Sequence, residues 1–270
     1  MLKFESVYKT FFQKTPNEVQ ALRNINFTIE EGSFVVVIGS NGSGKSTMQN
    51  VVAGTIMPDA GSVELANKKI TYWSEHKRAQ LIGRVFQNPF SGTAPNMTIA
   101  ENLALAIKRG QHRGLRFCLK KSMLSGFQER ICELNMGLED RLNNPIGTLS
   151  GGQRQALTLF MATMRRPELL LLDEHTAALD PKSAEQIIIL TEKIIQEKKL
   201  TSLMVTHSMQ QAAVLGDRLI MMHRGEIVAD ISGNEKMRIR PDDLMNFFND
   251  LRRRDLLDET AALMLSENYC

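Results

Sequence analysis

The 270-residue sequence contains no apolar run that approaches the length of a membrane-spanning helix, and Met1-Leu2-Lys3-Phe4-Glu5 does not open a signal peptide. Its three cysteines, Cys118, Cys132 and Cys270, are far apart and form no C-x-x-C pair. That spacing excludes a disulfide framework and a cysteine zinc site, and it suits a reducing compartment. A net charge of +3 is too small to argue for nucleic acid. Aromatic residues make up only 6% of the chain, so any aromatic cluster stands out. Internal repeats and low-complexity tracts are absent. Together these absences predict a cytosolic protein whose membrane role, if it has one, comes through a partner. What is present is an ordinary globular composition, 43% hydrophobic and 23% charged. The length suits one large domain, or a core with a subdomain.

The chain is organised around Phe34-Val35-Val36-Val37-Ile38 and the nine residues after it, Gly39, Ser40, Asn41, Gly42, Ser43, Gly44, Lys45, Ser46 and Thr47. The β-branched run reads as a fully buried strand, and the glycine-rich turn leads into a predicted helix. The turn fits G-x-x-x-x-G-K-[ST], whose backbone N–H groups can surround a phosphate. Lys45 places a positive charge near the β- and γ-phosphates, and Ser46 offers a hydroxyl to Mg²⁺. The start of the helix adds partial positive charge at the same spot. An ordinary Gly/Ser surface loop would not need a buried strand before it. The pattern predicts a nucleoside triphosphate site.

Upstream, Ile25, Phe27 and Ile29 alternate with polar residues as in a half-exposed strand. Between the first two strand-like pieces lies Tyr8-Lys9-Thr10-Phe11-Phe12, which could stack on a base; packing along a strand edge is the ordinary alternative. Downstream, Gly83-Arg84-Val85-Phe86-Gln87 reads as a strand broken by Asn88-Pro89. Thr98 and Glu101 form a capping box that starts a helix. The basic residues Lys108, Arg109, Arg113, Arg116, Lys120 and Lys121 follow, most simply as a solvated loop. A second helix is predicted from about Ser122 to Leu134. Leu169 to Leu172 with Asp173-Glu174 reads as a central strand, Pro181 to about Gln196 as a helix, and Thr201 to Thr206 as a strand ending at His207. Residues 218–230 read as a closing hairpin, and Pro241 opens a short amphipathic helix. The expected division is residues 1–87 and 167–235 as the core, 88–166 as an inserted helical subdomain, and 236–270 as a tail.

Asp173 and Glu174 end a buried strand, where open α/β sheets put their ligand sites. Asp173 suits Mg²⁺, and Glu174 can polarise the attacking water. Leu149-Ser150-Gly151-Gly152-Gln153 provides a second anion-binding helix start in one chain. One nucleotide needs only one such cradle from a subunit, so the second makes physical sense when presented to a nucleotide on a neighbouring molecule.

With these motifs in order, residues 1–235 resemble the nucleotide-binding subunits of ATP-binding cassette (ABC) transporters. The resemblance implies an α/β P-loop ATPase core with a mixed sheet, an antiparallel β subdomain and an inserted α-helical subdomain. It implies ATP and Mg²⁺ as ligands and a head-to-tail dimer with two sandwiched ATP molecules. Gly39 to Thr47 would be the phosphate loop, and Gln87 a catalytic glutamine linking Mg²⁺ to the transmembrane partner. Ser150, Gly151, Gly152 and Gln153 would contact ATP from the other subunit, Asp180 would lie in the D-loop, and His207 would orient water and the γ-phosphate. By position Phe11 would stack on adenine, with Phe12 as fallback. His175 departs from the proline commonly found there. The segments Val85 to Pro95, Met97 to Asn102 and Asp173 to Pro181 look like a bacterial importer subgroup with amino-acid-like cargo. That subgroup pairs with a membrane permease and an extracytoplasmic binding protein, which implies a peripheral position on the cytoplasmic face of the membrane and no nucleic-acid partner. Phe90 and Met97, where the chain leaves the core, are candidates for lining a permease groove, although packing of the subdomain is equally ordinary. A soluble ABC ATPase of cofactor assembly is the alternative.

Overall fold

A computed structural model of the chain describes residues 1–111, 119 and 122–267. It opens with β1 (Leu2–Phe11) and β2 (Val19–Ile29), an antiparallel pair in which the rings of Phe4 and Phe27 stack 4.7 Å apart. Then come β3 (Phe34–Gly39), α1 (Lys45–Ala53), β4 (Ala60–Leu65), β5 (Lys68–Lys69), α2 (Glu75–Arg78) and β6 (Ile82–Val85). Three longer helices follow, α3 (Ile99–Ile107), α4 (Ser122–Cys132) and α5 (Gly151–Thr163). The chain continues through β7 (Leu169–Asp173), α6 (Pro181–Lys198), β8 (Ser202–Val205), α7 (Met209–Val214), β9 (Arg218–His223) and β10 (Glu226–Ser232). It closes with α8 (Gly233–Arg238) and α9 (Pro241–Glu267). The strands make an antiparallel sheet in the order β2-β1-β4-β5 and a mixed sheet in the order β10-β9-β3-β8-β7-β6. Only the β9–β10 hairpin of the mixed sheet is antiparallel. This is the α/β class, mixed sheet and antiparallel partner that the motifs imply.

The leucine and valine runs are explained by burial on both faces. Val35 and Val37 of β3, Leu169 and Leu171 of β7, and Leu203 and Val205 of β8 face the core shared with the antiparallel sheet and α1. Their neighbours Val36, Ile38, Leu170, Leu172 and Met204 face the opposite core, with residues of α5, α6 and α9. A strand side chain alternates between faces, so a strand buried on both sides must be apolar at every position. Each such Val, Leu or Ile contributes about 1.5–3 kcal/mol. A third core joins α3, α4 and α5 around Leu103, Phe127, Ile131, Leu157 and Phe160. The carboxyl ends of parallel β3, β7 and β8 share one edge, so Gly39, Asp173 and the Thr206–His207 turn leave the sheet on the same side.

Two expectations need correction. Tyr8 to Phe11 belong to β1 itself rather than to a connection between strands. The tail helix is long, Pro241–Glu267, because no glycine or proline interrupts it after its first residue. Its Leu244 and Phe248 are buried in the second core, so the tail is anchored to the body. Of the basic segment, Arg109 donates to the carbonyls of Ala162 and Arg165. Arg113, Arg116, Lys120 and Lys121 lie outside the described residues.

The far end of α1 is held by Arg78, which is fully buried. Its guanidinium donates to the carbonyls of Val51, Val52, Thr71 and Trp73. Val51 and Val52 lie in the last turn of α1, whose carbonyls lack helical partners and carry the negative end of the dipole. Burial pushes the Arg78 pKa down to about 10. Gly54 ends the helix at φ +83°, and a Cβ there would lie 2.7 Å from Arg78 Nε. Arg78→Met keeps most of the volume but leaves several buried carbonyls unpaired. It is expected to cost about 3 kcal/mol or more. A urea titration should show a lower midpoint with the slope unchanged.

Candidate active site

The loop after β3 is folded around its own lysine. Lys45 is buried, and its ammonium donates to Gly39 O at 2.8 Å, Ser40 O at 2.9 Å and Ser43 Oγ at 3.4 Å. All three acceptors are neutral, and no carboxylate lies within ion-pair range among the described residues. Burial pushes the Lys45 pKa down, opposed by the charge of Glu174. A buried cation without a counter-ion at a helix start is a receptor for an anion. Glycine is required at position 44, where φ is +99° and a Cβ would meet Ala21 O at 2.3 Å. A Cβ on Gly42 would meet nothing within 4 Å, so this side of the loop is open. The loop floors a cleft of about 400 Å³ lined by Phe11, Val19, Ala21, Asn41 to Thr47 and His207.

Across the sheet edge, Glu174 is held from two sides. Its Oε1 lies 2.6 Å from His207 Nε2, and its Oε2 accepts from Gln87 Nε2 at 3.3 Å. The backbone of Glu174 sits at φ +42°, a left-handed conformation that costs a branched-free side chain about 1–3 kcal/mol. Its N–H is pinned to Val205 O at 3.0 Å, and its carbonyl accepts from Ala177 N at 2.9 Å. The turn therefore aims the carboxylate between His207 and Gln87 at the expense of backbone comfort. Asp173, one residue earlier, lies with Oδ2 3.3 Å from Arg84 Nη2.

A family model described as ABC transporter matches residues 22–177, more than half of the chain. The chain belongs to the ABC transporter family. Over 248 residues it is 42% identical to a tyrosine transport ATP-binding protein of Clostridioides difficile (strain R20291), spanning 92% of this chain and 98% of that protein. It is 31% identical over 228 residues to an energy-coupling factor transporter ATP-binding protein of Geobacillus kaustophilus (strain HTA426), spanning 83% of this chain and 77% of that protein. Among solved structures it resembles a dimeric post-hydrolysis state of the ATP-binding cassette MJ0796 bound to ADP and Pi. That match has a TM-score of 0.71 and 32% identity, covering 86% of this chain and 98% of the other. The protein is an ABC ATPase by family and by fold.

The ABC ATPase brings some predicted residues together and keeps others apart. Phe11 lines the cleft beside the phosphate loop, while Phe12 is 68% exposed and does not. Ser150, Gly151, Gly152, Gln153 and Asp180 do not line that cleft. Ser150 Oγ accepts from Gln153 N at 3.2 Å, and Gln153 Oε1 accepts from Ser150 N at 3.3 Å. This capping box leaves the first two amides of α5, those of Gly151 and Gly152, without an acceptor in the helix. A Cβ on Gly152 would lie 2.9 Å from Ser183 Oγ, so glycine is needed there for the close approach of α5 to α6. Asp180 is the N-cap of α6, accepting from Ser183 N at 3.0 Å.

Sequence reasoning passed over three side chains. Arg84 reaches Asp173 from β6, and a strand pattern assigns such a residue only to a face. His223 Nδ1 lies 3.4 Å from Ser40 Oγ and its Nε2 lies 2.8 Å from Asp255 Oδ2, which ties the phosphate loop to α9. Arg154 of α5 is buried and stacks 3.7 Å from the centre of the Phe90 ring. Phe90 therefore faces α5 and solvent. The groove beside it, about 470 Å³, is lined instead by Phe86, Ser91, Gly92, Ala94, Leu105 and Met161 among others, and Met97 is likewise not part of it.

Family membership carries ATP and Mg²⁺ with it, and the residues present fit both. The uncompensated Lys45 ammonium suits a phosphate. The exposed Ser46 hydroxyl and Asp173, whose Oδ1 has no hydrogen bond or ion pair among the described residues, are the hard oxygen donors that Mg²⁺ takes alongside phosphate oxygens and water.

His175 is wholly buried, with Nε2 3.0 Å from Thr191 Oγ1 and Nδ1 unpartnered. Thr191 Oγ1 already donates to Ile187 O, so it accepts from His175 Nε2–H. Burial pushes the His175 pKa down to about 4. An unfolded histidine titrates near 6.5, so between about pH 6.5 and 4 the unfolded chain binds the extra proton and stability rises with pH. At pH 5 the neutral histidine withholds about 2 kcal/mol relative to pH 8. His175→Gln is expected to flatten this acid-side slope, read from urea midpoints at pH 5 and pH 8.

Proposed function

We propose that this chain is the ATPase subunit of a transporter whose membrane-spanning part is a separate polypeptide. It works as a head-to-tail dimer that closes around two ATP molecules. The observation that carries this reading is the division of the site. The phosphate cleft and the Glu174 cluster are in one place, while the start of α5, whose Gly151 and Gly152 amides have no acceptor within the helix, lies outside the cleft, where a second copy would meet it. The dimeric structure of a similar ATP-binding cassette bound to ADP and Pi supports dimerisation. Residues 1–87 and 167–235 act as the core, 88–166 as the subdomain carrying the α5 start, and 236–270 as the tail.

In this reading Gly39 to Thr47 hold the phosphates and Phe11 stacks on the base. Ser150, Gly151, Gly152 and Gln153 contact the partner's nucleotide, and Asp180 positions the start of α6 near it. Ser46, Gln87 and Asp173 hold Mg²⁺, which when bound offsets charge on the β- and γ-phosphates. Glu174 takes a proton from the attacking water as its oxygen bonds to the γ-phosphorus and the bond to ADP breaks, and His207 orients the water and the γ-phosphate. Nucleotide must first separate Glu174 from His207 and Gln87. The 470 Å³ groove between core and subdomain, with Phe86 and Leu105 on its walls, suits a short apolar helix of the permease. The tyrosine-transport relative supports amino-acid-like cargo. In this reading the transporter is an importer that works with an extracytoplasmic binding protein. No helix among the described residues is long and apolar enough to cross a membrane. In this reading the chain sits peripherally on the cytoplasmic face, held there by the permease.

Two substitutions separate binding from hydrolysis. Lys45→Ala should lower ATP affinity at least tenfold and abolish turnover. Glu174→Gln should keep Mg·ATP bound and the dimer long-lived while turnover falls by about 10²-fold or more. Equilibrium dialysis, gel filtration and phosphate release read these, and turnover near wild type in either variant overturns the assignment.

Leu105→Glu tests the groove, because docking would desolvate an unpaired carboxylate. The variant should bind ATP normally but fail to pull down the permease. Normal assembly removes the groove from the interface, and the absence of any membrane partner favours a soluble assembly ATPase.

A further inference from the structure

Arg84 stands between the two surfaces that matter most to this reading. It leaves β6 opposite Leu171 of β7. Its Nη2 donates to Asn50 Oδ1 at 2.8 Å and lies 3.3 Å from Asp173 Oδ2. Its Nη1 reaches Thr55 Oγ1 at 3.3 Å, and its guanidinium lies 4.7 Å from the centre of the Phe86 ring. The Arg84 and Asp173 side chains are only 14% and 21% exposed, so water screens the pair less than it screens a surface ion pair. Arg84 and Phe86 also line the groove between core and subdomain. One guanidinium thus touches the metal-site carboxylate, the side of α1 and the groove wall.

We propose that Arg84 is a resident counter-ion of Asp173: it lowers the hold of Asp173 on a divalent cation in the nucleotide-free protein, and it links that hold to the groove. Arg84 is a positioning residue here, since it acts through Asp173. Two effects oppose each other. As an orienting partner Arg84 would strengthen metal binding, and as a neighbouring cation it weakens it. Asp173 has a short side chain on a strand paired on both edges, with β6 and β8, so orientation adds little. A full positive charge this close repels a divalent ion strongly, and even heavy screening leaves an effect of about tenfold in affinity. Charge decides the sign. Metal is then held firmly only when nucleotide phosphates contribute their own charge. An occupant of the groove that draws the guanidinium toward Phe86 would release Asp173.

The inference rests on Asp173 being the metal carboxylate of the proposed function. Its test is the affinity of the nucleotide-free full-length protein for Mn²⁺, read from the paramagnetic resonance signal of the free ion. Arg84→Gln should bind Mn²⁺ about tenfold more tightly than wild type. Arg84→Lys, which keeps the charge, should stay within about twofold of wild type, which excludes a purely packing role. Adding Asp173→Asn to Arg84→Gln should cancel the gain. Unchanged or weaker Mn²⁺ binding by Arg84→Gln overturns the counter-ion role, as does a gain that survives Asp173→Asn. Urea midpoints identify any variant that fails to fold, and Arg84→Lys then serves with Asp173→Asn alone, which should weaken Mn²⁺ binding. Mg·ATP binding by wild type, measured alongside, separates the two levels. Its loss overturns the proposed function and this inference with it, while its retention confines any failure to Arg84.

Discussion

The structure depends on a buried ammonium that has no carboxylate within ion-pair range among the described residues. Lys45 is satisfied by the carbonyls of Gly39 and Ser40 and by the Ser43 hydroxyl, so the loop is closed on itself before any ligand arrives. That closure requires a strand that cannot move. β3 is paired on both edges, to β8 and β9, and buried on both faces. It also requires a helix that cannot slide, and Arg78 holds the last carbonyls of α1 while Gly44 fits against Ala21 at its start. The ordering entropy of the cradle is thus met by the fold rather than by the ligand.

The same self-occupation recurs across the sheet edge. Glu174 is engaged by His207 and Gln87, and Asp173 by Arg84. Each acid meets a protein donor. In the proposed function these are the contacts that a nucleotide and its metal would have to displace. The positive φ of Glu174 belongs to this device: a backbone in an unfavourable region persists only where its surroundings over-determine it, here through Val205 and Ala177. His175 supplies part of that frame by tying the residue after Glu174 to Thr191 of α6. Proline would stiffen the turn through its ring, whereas histidine does so through a buried hydrogen bond.

Much of this was legible in the chain. The apolar runs of β3, β7 and β8 and the glycine spacing of the loop are local patterns with one physical reading, and so are both capping boxes, at Thr98 and Ser150. Less legible was anything that depends on where one element's flank meets another. The tail helix is longer than the short one expected because nothing in its sequence stops it, and its anchoring by Leu244 and Phe248 needs the second core to exist. Phe90, one candidate for a groove residue from its place at the exit from the core, packs on Arg154, and the cavity between core and subdomain is lined from Ser91 onward, a contact no local pattern states.

By itself the sequence determined the elements, the phosphate loop and the order of the chemical motifs, because each is encoded within a few residues by backbone freedom, periodicity or charge. Only the tertiary structure decided which long side chains cross between elements. Arg84 to Asp173, Arg78 to the end of α1, His223 from Ser40 to Asp255, and His207 to Glu174 join residues far apart in the chain. A local pattern states what a side chain can donate or accept. Its partner is set by sheet order and register, which bring distant residues within about 3 Å, the distance at which hydrogen bonds and ion pairs act.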